Sequence, residues 1–160
     1  SRSNLIVYDN NSIQFSTKLN FSGNLLNTAI SQQLKISWEQ AEQLKIKNGL
    51  IYDNKNTKYL KVVTGLTDDL MVEIKKNLQF YSEHFFNPNP ITHITLCGGT
   101  SALAKLDAEI GKKTKISATV GNPWKNLFNK QMANSDHVMS SSLAAAIGLG
   151  LRAAEDPFEK

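Results

Sequence analysis

Cysteine, proline and long apolar runs are scarce in this 160-residue chain, and each absence excludes a class of protein. The single cysteine, Cys97, excludes an intrachain disulfide and a cysteine-based metal cluster, so we expect it to be a small buried apolar residue. Four prolines and nine glycines are too few for a disordered or collagen-like chain. No run of about 18 apolar residues predicts a membrane span, and we expect a cytoplasmic protein.

The chain also lacks the patterns typical of nucleic-acid, metal and serine-nucleophile sites. The net charge is +4, but the lysines are scattered and only Lys112, Lys113 and Lys115 are closely grouped. A basic stripe interleaved with aromatic residues is missing, which excludes a nucleic-acid partner. The three histidines share no metal-ligand spacing, and no Gly-x-Ser-x-Gly elbow occurs. We therefore predict no metal site and assign no catalytic residue.

What is present is a globular composition with strand and helix patterns in its first half. Apolar residues make up 41% of the chain, enough for one domain or two small lobes. Residues 5–8 and 13–19 flank an Asp-Asn-Asn-Ser turn and predict a hairpin. Apolar residues at helical spacing predict a helix over residues 25–34, and Ser37 with Gln40 forms a capping-box pattern that opens a second helix.

The second half predicts a short strand, a long helix and a strand–helix–strand unit. Residues 59–63 predict the strand, and Thr67 predicts the N-cap of a helix that reaches about His84. The fold class is therefore mixed α/β, with a parallel crossover near its end. The remaining predicted elements are a strand over residues 91–97, a helix over 101–110, a strand over 115–118 and a closely packed small-residue helix over 140–151.

The clearest candidate for a ligand site is Leu96-Cys97-Gly98-Gly99-Thr100-Ser101-Ala102-Leu103, where a strand runs through two glycines into a predicted helix. Glycines let a backbone pass close to a flat base or ribose, and the first amides of a helix can bind anions. An ordinary strand-to-helix turn that needs a positive φ angle uses the same residues.

Glu42 and Lys45, on the predicted second helix, are a second candidate. A carboxylate accepts hydrogen bonds from ribose hydroxyls, and the stem of a lysine can cover the edge of a base. Their three-residue spacing is also typical of an exposed ion pair, which contributes about 0.2–0.5 kcal/mol. The residues alone leave both interpretations open.

Four stretches stand in a fixed order along the chain and carry a resemblance. They are Ala41-Glu42-Gln43-Leu44-Lys45, the glycine turn from Leu96 to Leu103, Val120-Gly121-Asn122-Pro123-Trp124, and Ser142-Leu143-Ala144-Ala145-Ala146-Ile147-Gly148-Leu149-Gly150-Leu151-Arg152. Together they resemble the second lobe, subdomains 2A and 2B, of PilM-type type IV pilus assembly proteins. That family belongs to the actin-like ATPase superfamily, which includes FtsA and the sugar kinases. The resemblance covers nearly the whole chain.

The resemblance implies a fold and a ligand. Residues 1–160 would form a ribonuclease-H-like lobe, with a mixed sheet, flanking helices and a small inserted α+β subdomain over residues 24–65. The first lobe of the family would be absent from the chain. ATP or ADP with Mg²⁺ would bind in the full-length protein, and the partner would be the cytoplasmic tail of a PilN-like inner-membrane protein. The nucleotide-binding residues would be Glu42, Lys45, Gly98, Gly99 and Thr100.

The sequence departs from the superfamily pattern at the phosphate loops. Neither Asp-x-Gly loop occurs before Leu5, so we expect this chain to begin just after the second one, to hydrolyse no ATP by itself and to bind nucleotide weakly at best. Two other functions stay open: a sugar- or acetate-kinase-type phosphotransferase lobe, and a degenerate interaction module without nucleotide. An unpaired sheet edge near Ser1 would also favour self-association.

Overall fold

The first two strands form the predicted hairpin. The computed structural model describes residues 3–124 and 143–154. Strands β1 (Ser3–Asp9) and β2 (Ser12–Leu19) pair antiparallel. Asn10 and Asn11 lie between them with φ angles of 49° and 59°. Asparagine tolerates this left-handed conformation better than other non-glycine residues, which explains why the chain reverses here.

The next two helices begin as the sequence predicts. Helix α1 (Gly23–Leu34) starts after Ser22, whose hydroxyl accepts a hydrogen bond from the Leu25 amide. Helix α2 (Trp38–Asn48) starts after Ser37, and the capping box between Ser37 and Gln40 is formed in both directions. These caps satisfy amides that have no partner inside the helix. The two helices pack together, and α2 carries the candidate residues Glu42 and Lys45.

The predicted strand over residues 59–63 is wrong. Helix α3 (Thr57–His84) runs through this segment and through Gly65 without a break. The Thr67 hydroxyl donates to the Thr64 carbonyl within the helix and does not cap its start. Burial repeats at helical spacing from Tyr59 to Tyr81, so the energy of packing outweighs the cost of one interior glycine, about 1 kcal/mol. Residues 24–65 therefore contribute helices to the fold.

The strand–helix–strand unit is present with shifted boundaries. Strand β3 (His93–Leu96) pairs in parallel with β4 (Ser117–Val120). Between them the predicted helix from Ser101 is wrong: a 3-10 turn (Gly99–Ala102) comes first, and helix α4 (Leu106–Thr114) follows. The chain breaks at Ala104, whose carbonyl accepts from the Leu50 amide outside the unit, and at Lys105, which has a φ angle of 70°.

The sheet pairs stay separate, and the core lies between them and the helices. In the described part of the chain, the structure contains two two-stranded sheets, β1-β2 and β3-β4. The buried core joins β2, α1, α2, α3 and α4, with Leu26, Ile30 and Val63 fully buried. Cys97 is exposed, which corrects the predicted burial, because it lies past the end of β3 and outside this core. Within the described ranges, no helix is long and apolar enough to cross a membrane.

The helix predicted over residues 140–151 is present as α5 (Ala144–Ala154), the last described helix. Positions 140–142 lie outside the described residues. The predicted close packing of its small residues is not seen: Leu149 is 70% exposed, and a Cβ added at Gly148 or Gly150 meets no described atom within 4 Å. Small residues allow a helix to pack closely only where another element lies against it.

Candidate functional site

The turn after β3 owes its shape to Gly98. Its φ angle of 96° and ψ angle of 170° lie in a region that residues with a Cβ rarely adopt. The Gly98 carbonyl accepts hydrogen bonds from the Ser101 amide at 3.0 Å and the Ser101 hydroxyl at 2.6 Å. These bonds close the 3-10 turn. Because only four residues are helical here, the turn lacks the long helix that the sequence predicted as a source of anion-binding amides.

Gly99, unlike Gly98, does not have a backbone conformation that requires glycine. A Cβ added at Gly99 meets no atom of the described residues within 4 Å, and its φ angle lies outside the positive range. Gly99 is exposed and faces a cavity. The fold itself therefore does not require glycine at this position, which makes Gly99 a probe of whatever occupies the cavity.

The cavity beside Gly99 has a volume of about 400 Å³ and lies between α1, α2 and the turn. Four of the five predicted residues line it: Glu42, Lys45, Gly99 and Thr100. Gly98 does not line the cavity, but its backbone conformation gives the adjacent turn its shape. The full lining is Gly23, Asn24, Glu42, Lys45, Ile46, Gly99, Thr100, Ala102 and Leu103. The structure thus brings together residues that are more than 50 positions apart in sequence.

The polar groups of the cavity wall lie close to Gly23. A Cβ added at Gly23 would lie 3.0 Å from the Thr100 hydroxyl oxygen and 3.4 Å from the Lys45 ammonium nitrogen. Gly23 is also the first residue of α1, whose leading amides have no partner inside the helix and whose dipole is positive at this end. A hydroxyl, an ammonium group and a helix N-terminus therefore share one wall.

Lys45 and Glu42 do not form the ion pair that their spacing allows. The one salt bridge within the described residues joins Lys113 to Asp68. Burial lowers the pKa of the half-buried Lys45 ammonium, and the nearby charge of Glu42 partly offsets this by raising it. An amine that has lost hydration without gaining a bonded carboxylate would be stabilised by an anionic or polar ligand.

A buried anchor sets the distance between α2 and the glycine turn. At the end of α2, the Leu50 amide donates to the Ala104 carbonyl at 2.9 Å. Gly49, with a φ angle of 53°, approaches so closely that an added Cβ would lie 2.6 Å from the Cβ of Ala104. The buried Tyr59 hydroxyl donates to the Gly49 carbonyl at 2.9 Å, and burial raises the pKa of Tyr59 to about 12. The anchor ties the end of α2 to the segment that follows the glycine turn.

The lining suits a nucleoside better than a metal ion. Ile46, Ala102 and Leu103 supply apolar surface for a flat base, and Glu42 and Thr100 supply oxygens for ribose hydroxyls. Across the described ranges, no three His, Cys, Asp or Glu side chains are grouped so that they could hold a metal ion. These residues therefore do not fit Mg²⁺, and phosphate-bound metal would need ligands from elsewhere.

Five residues that line the cavity were not among the predicted site residues, for two different reasons. Ile46 is adjacent to Lys45 on α2, and Ala102 and Leu103 follow the glycine turn, so their proximity to the predicted site was readable. Gly23 and Asn24 carried no signal, because only the packing of α1 against α2 brings the start of α1 to Thr100.

Three comparisons relate the chain to known proteins. The family model described as "Type IV pilus assembly protein PilM" matches residues 1–154. The structure titled "PilM-PilN type IV pilus biogenesis complex" is 20% identical, with a TM-score of 0.74, and the match covers 96% of this chain and 43% of that chain. Ethanolamine utilization protein EutJ from Carboxydothermus hydrogenoformans is 16% identical, with a TM-score of 0.63, over 94% of this chain and 44% of that chain.

At these identities the two structures show a shared fold, and this chain spans less than half the length of either. They bear out the expected actin-like α/β architecture. Among curated proteins, no match is found.

Proposed function

This chain belongs to the PilM family of type IV pilus assembly proteins, and we propose that its cavity of about 400 Å³ binds the adenosine part of ATP or ADP. In this proposal Glu42 and Thr100 bind the ribose, Lys45 covers the base edge, and Gly99 leaves room for the ligand. Gly98 keeps the turn in shape. The chain is then the adenosine-binding half and a scaffold of a pilus-assembly protein.

The convergence of four predicted residues on one cavity carries this proposal. Glu42 and Lys45 come from α2, whereas Gly99 and Thr100 come from the turn after β3, and only the fold brings them together. A volume of about 400 Å³ lies in the range of small-molecule sites. The space in front of Gly99 adds support, because no described residue fills it.

Phosphate and Mg²⁺ binding lie outside what these residues offer. Bound Mg²⁺ would neutralise phosphate charge in the full-length protein. The described residues contain no carboxylate cluster for it, so we expect the 160-residue chain to hydrolyse no ATP. Any turnover then needs groups from the rest of the polypeptide.

We also propose a cytoplasmic location and a PilN-like partner. The solved complex that shares this fold joins PilM to PilN, and that likeness supports a PilN-like partner for the whole protein. In this proposal the partner contributes a short cytoplasmic tail of an inner-membrane protein. A synthetic tail peptide titrated into the full-length protein should bind. Undiminished binding to a protein deleted for residues 1–160 would place the tail site in the other lobe.

The adenosine proposal is tested with Gly99→Asp in the full-length protein. The carboxylate fills the open space and adds negative charge beside the nucleotide, so the Kd for ADP should rise at least about tenfold. Isothermal titration calorimetry measures it, and circular dichroism checks that the fold is kept.

Gly65→Asp is the matched control. It introduces the same charge at another glycine with open space around it, in the middle of α3 and away from the cavity lining. Its Kd should stay within about twofold of the unmodified protein. Equal affinities in Gly99→Asp and the control would overturn the proposal, and an unmodified protein that binds no nucleotide would favour the interaction-module function.

A further inference from the structure

Lys45 differs from the other described lysines in its surroundings. All of them are exposed except Lys45 and Lys113, which are half-buried. The ammonium group of Lys113 is paired with the carboxylate of Asp68. Among the described residues, none forms a hydrogen bond or an ion pair with the ammonium group of Lys45. Lys45 therefore combines partial burial with an unpaired amine.

The Lys45 amine can be reached from the cavity beside Gly99. Lys45 lines this cavity, which has a volume of about 400 Å³. A Cβ added at Gly23 would lie 3.4 Å from the Lys45 nitrogen. Because glycine has no side chain, Gly23 does not fill the space next to this nitrogen. A small molecule that enters the cavity can therefore contact the amine.

The groups around Lys45 favour its uncharged form. Burial lowers the pKa of Lys45, and the charge of Glu42 partly offsets this by raising it. Among the described residues, Glu42 is the only other charged residue that lines the cavity, and neither α1 nor the glycine turn contributes one. Gly23 lies at the positive end of the α1 dipole, which also disfavours an ammonium group. Lys45 is therefore more often an uncharged, nucleophilic amine than an exposed lysine is.

We propose that Lys45 is acylated by acyl phosphates that enter this cavity, and that the acyl group and the nucleotide exclude each other. The second part rests on the proposed adenosine binding, whereas the first part does not. An acyl phosphate is a mixed anhydride of a carboxylic acid and phosphoric acid, so it carries both a reactive carbonyl carbon and a negative charge.

The reaction forms one bond and breaks another. The lone pair of the uncharged Lys45 nitrogen attacks the carbonyl carbon, and an amide C–N bond forms. The C–O bond to phosphate breaks, phosphate leaves with the electron pair, and the proton lost by the nitrogen passes to it. The products are an acyl-lysine and inorganic phosphate, without any oxidation or reduction. The Thr100 hydroxyl lies on the same wall and can donate a hydrogen bond to an anion beside Lys45.

Mutual exclusion follows from charge and space. Acylation removes the positive charge of Lys45 and adds an acyl group to its side chain, inside the cavity. In the proposed function the Lys45 side chain covers the edge of the base, so a bound nucleotide also shields the Lys45 nitrogen. Each of the two events should therefore reduce the other.

The first test is acetylation of the full-length protein by acetyl phosphate, without nucleotide. Mass spectrometry of its peptides gives the initial rates at Lys45 and at two reference lysines. Lys47 is exposed on the same helix, and Lys113 is half-buried but paired with Asp68. Lys45 should be acetylated at least about fivefold faster than Lys47 and about tenfold faster than Lys113. A Lys45 rate equal to or below that of Lys47 overturns the proposal.

Glu42→Gln should accelerate the reaction. Loss of the carboxylate charge favours the uncharged amine and reduces the repulsion of acetyl phosphate, so Lys45 should react at least about twofold faster. The matched control is Glu39→Gln, which makes the same change on α2 outside the cavity lining and should leave the Lys45 rate unchanged. A folded Glu42→Gln protein with an unchanged or slower Lys45 rate overturns the proposal. If Lys113 also accelerates, the variant has unfolded, and the rates of the unmodified protein decide.

Saturating ADP distinguishes the acylation site from the adenosine site. ADP should slow the acetylation of Lys45 at least about tenfold and leave Lys47 unchanged, and acetylated protein should bind ADP at least about tenfold more weakly. Fast acetylation of Lys45 that ADP does not slow supports the acylation site but overturns the mutual exclusion and the adenosine site. Slow acetylation of Lys45 in a protein that binds ADP overturns the acylation site and leaves the adenosine site intact.

Discussion

The helices α1, α2 and α3, called here the helical half, differ from the four strands, called the strand half, in how they satisfy their backbone groups and bury their side chains. In the helical half, α1, α2 and α3 enclose a core in which Leu26, Ile30 and Val63 are fully buried. In the strand half, Ile6 and Tyr8 of β1 are 59% and 64% exposed, and β1 and β3 face a gap. Val7, which lies between Ile6 and Tyr8 in β1, is buried, so the hairpin buries one face and leaves the other exposed, whereas the helices enclose a core.

The difference follows from where each element makes its hydrogen bonds. A helix satisfies its backbone within one segment, so three helices need only pack their apolar faces. A strand leaves half of its backbone groups to a neighbour on each side, and four strands in two pairs leave edges. The helices therefore satisfy their backbone groups within single segments, whereas β1 and β3 each pair on one side only among the described residues.

The largest expected effect is the difference in the free energy of unfolding between Ile30→Ala and Ile6→Ala. Ile30 is fully buried in α1, so its truncation should lower the free energy of unfolding by about 2–5 kcal/mol. Ile6 is mostly exposed, so the same truncation should cost about 0.5 kcal/mol or less in this 160-residue chain. Urea denaturation of both variants measures the difference. Equal losses would break the comparison between the two halves.

The next effect concerns the anchor that ties the two halves together. Gly49→Ala should destabilise by about 2–4 kcal/mol, because its positive φ angle strains any Cβ and that Cβ would collide with Ala104. Gly65→Ala, inside α3 with open space around it, should stabilise by about 0.5–1 kcal/mol. The two variants make the same chemical change with opposite signs. A thermal or urea melt checks both, and a tolerated Gly49→Ala would mean that the anchor is not rigid.

Elements with a local physical cause could be predicted from the sequence. The asparagine turn before β2 and the capping box at Ser37 are decided within a few residues, and both are confirmed. The strand predicted over residues 59–63 failed, because β-branched residues and Gly65 indicate a strand locally, whereas burial at helical spacing along α3 decides the structure. The start of α4 also shifted, because Ala104 is bonded to Leu50 from a distant segment.

The candidate site shows the same division. Glu42, Lys45, Gly99 and Thr100 were predicted through a resemblance that spans two distant stretches, and the structure places them around one cavity. Gly23 could not be predicted, because its part in the cavity comes from the packing of α1 and not from any local pattern. The exposure of Cys97 was not predicted either, because β3 ends at Leu96 and Cys97 lies outside the core.

The smallest effect tests what holds the open end of the strand half. The Tyr81 hydroxyl donates to the Asp9 carboxylate at the end of β1, and Asn89 donates to it from the segment before β3. These bonds lower the pKa of Asp9 from 3.8 to about 2, with Tyr81 contributing most. The ionised carboxylate is the bonded form. The contribution of the ionised Asp9 carboxylate to the stability of the fold is therefore complete above about pH 4 and is lost as the pH falls toward 2.

Tyr81→Phe should raise the pKa of Asp9 toward 3.8, and Asn89→Ala should raise it less, because Tyr81 is the larger cause. Carbon-detected NMR titration of the Asp9 carboxyl measures both shifts. An unchanged pKa in Tyr81→Phe would contradict the network.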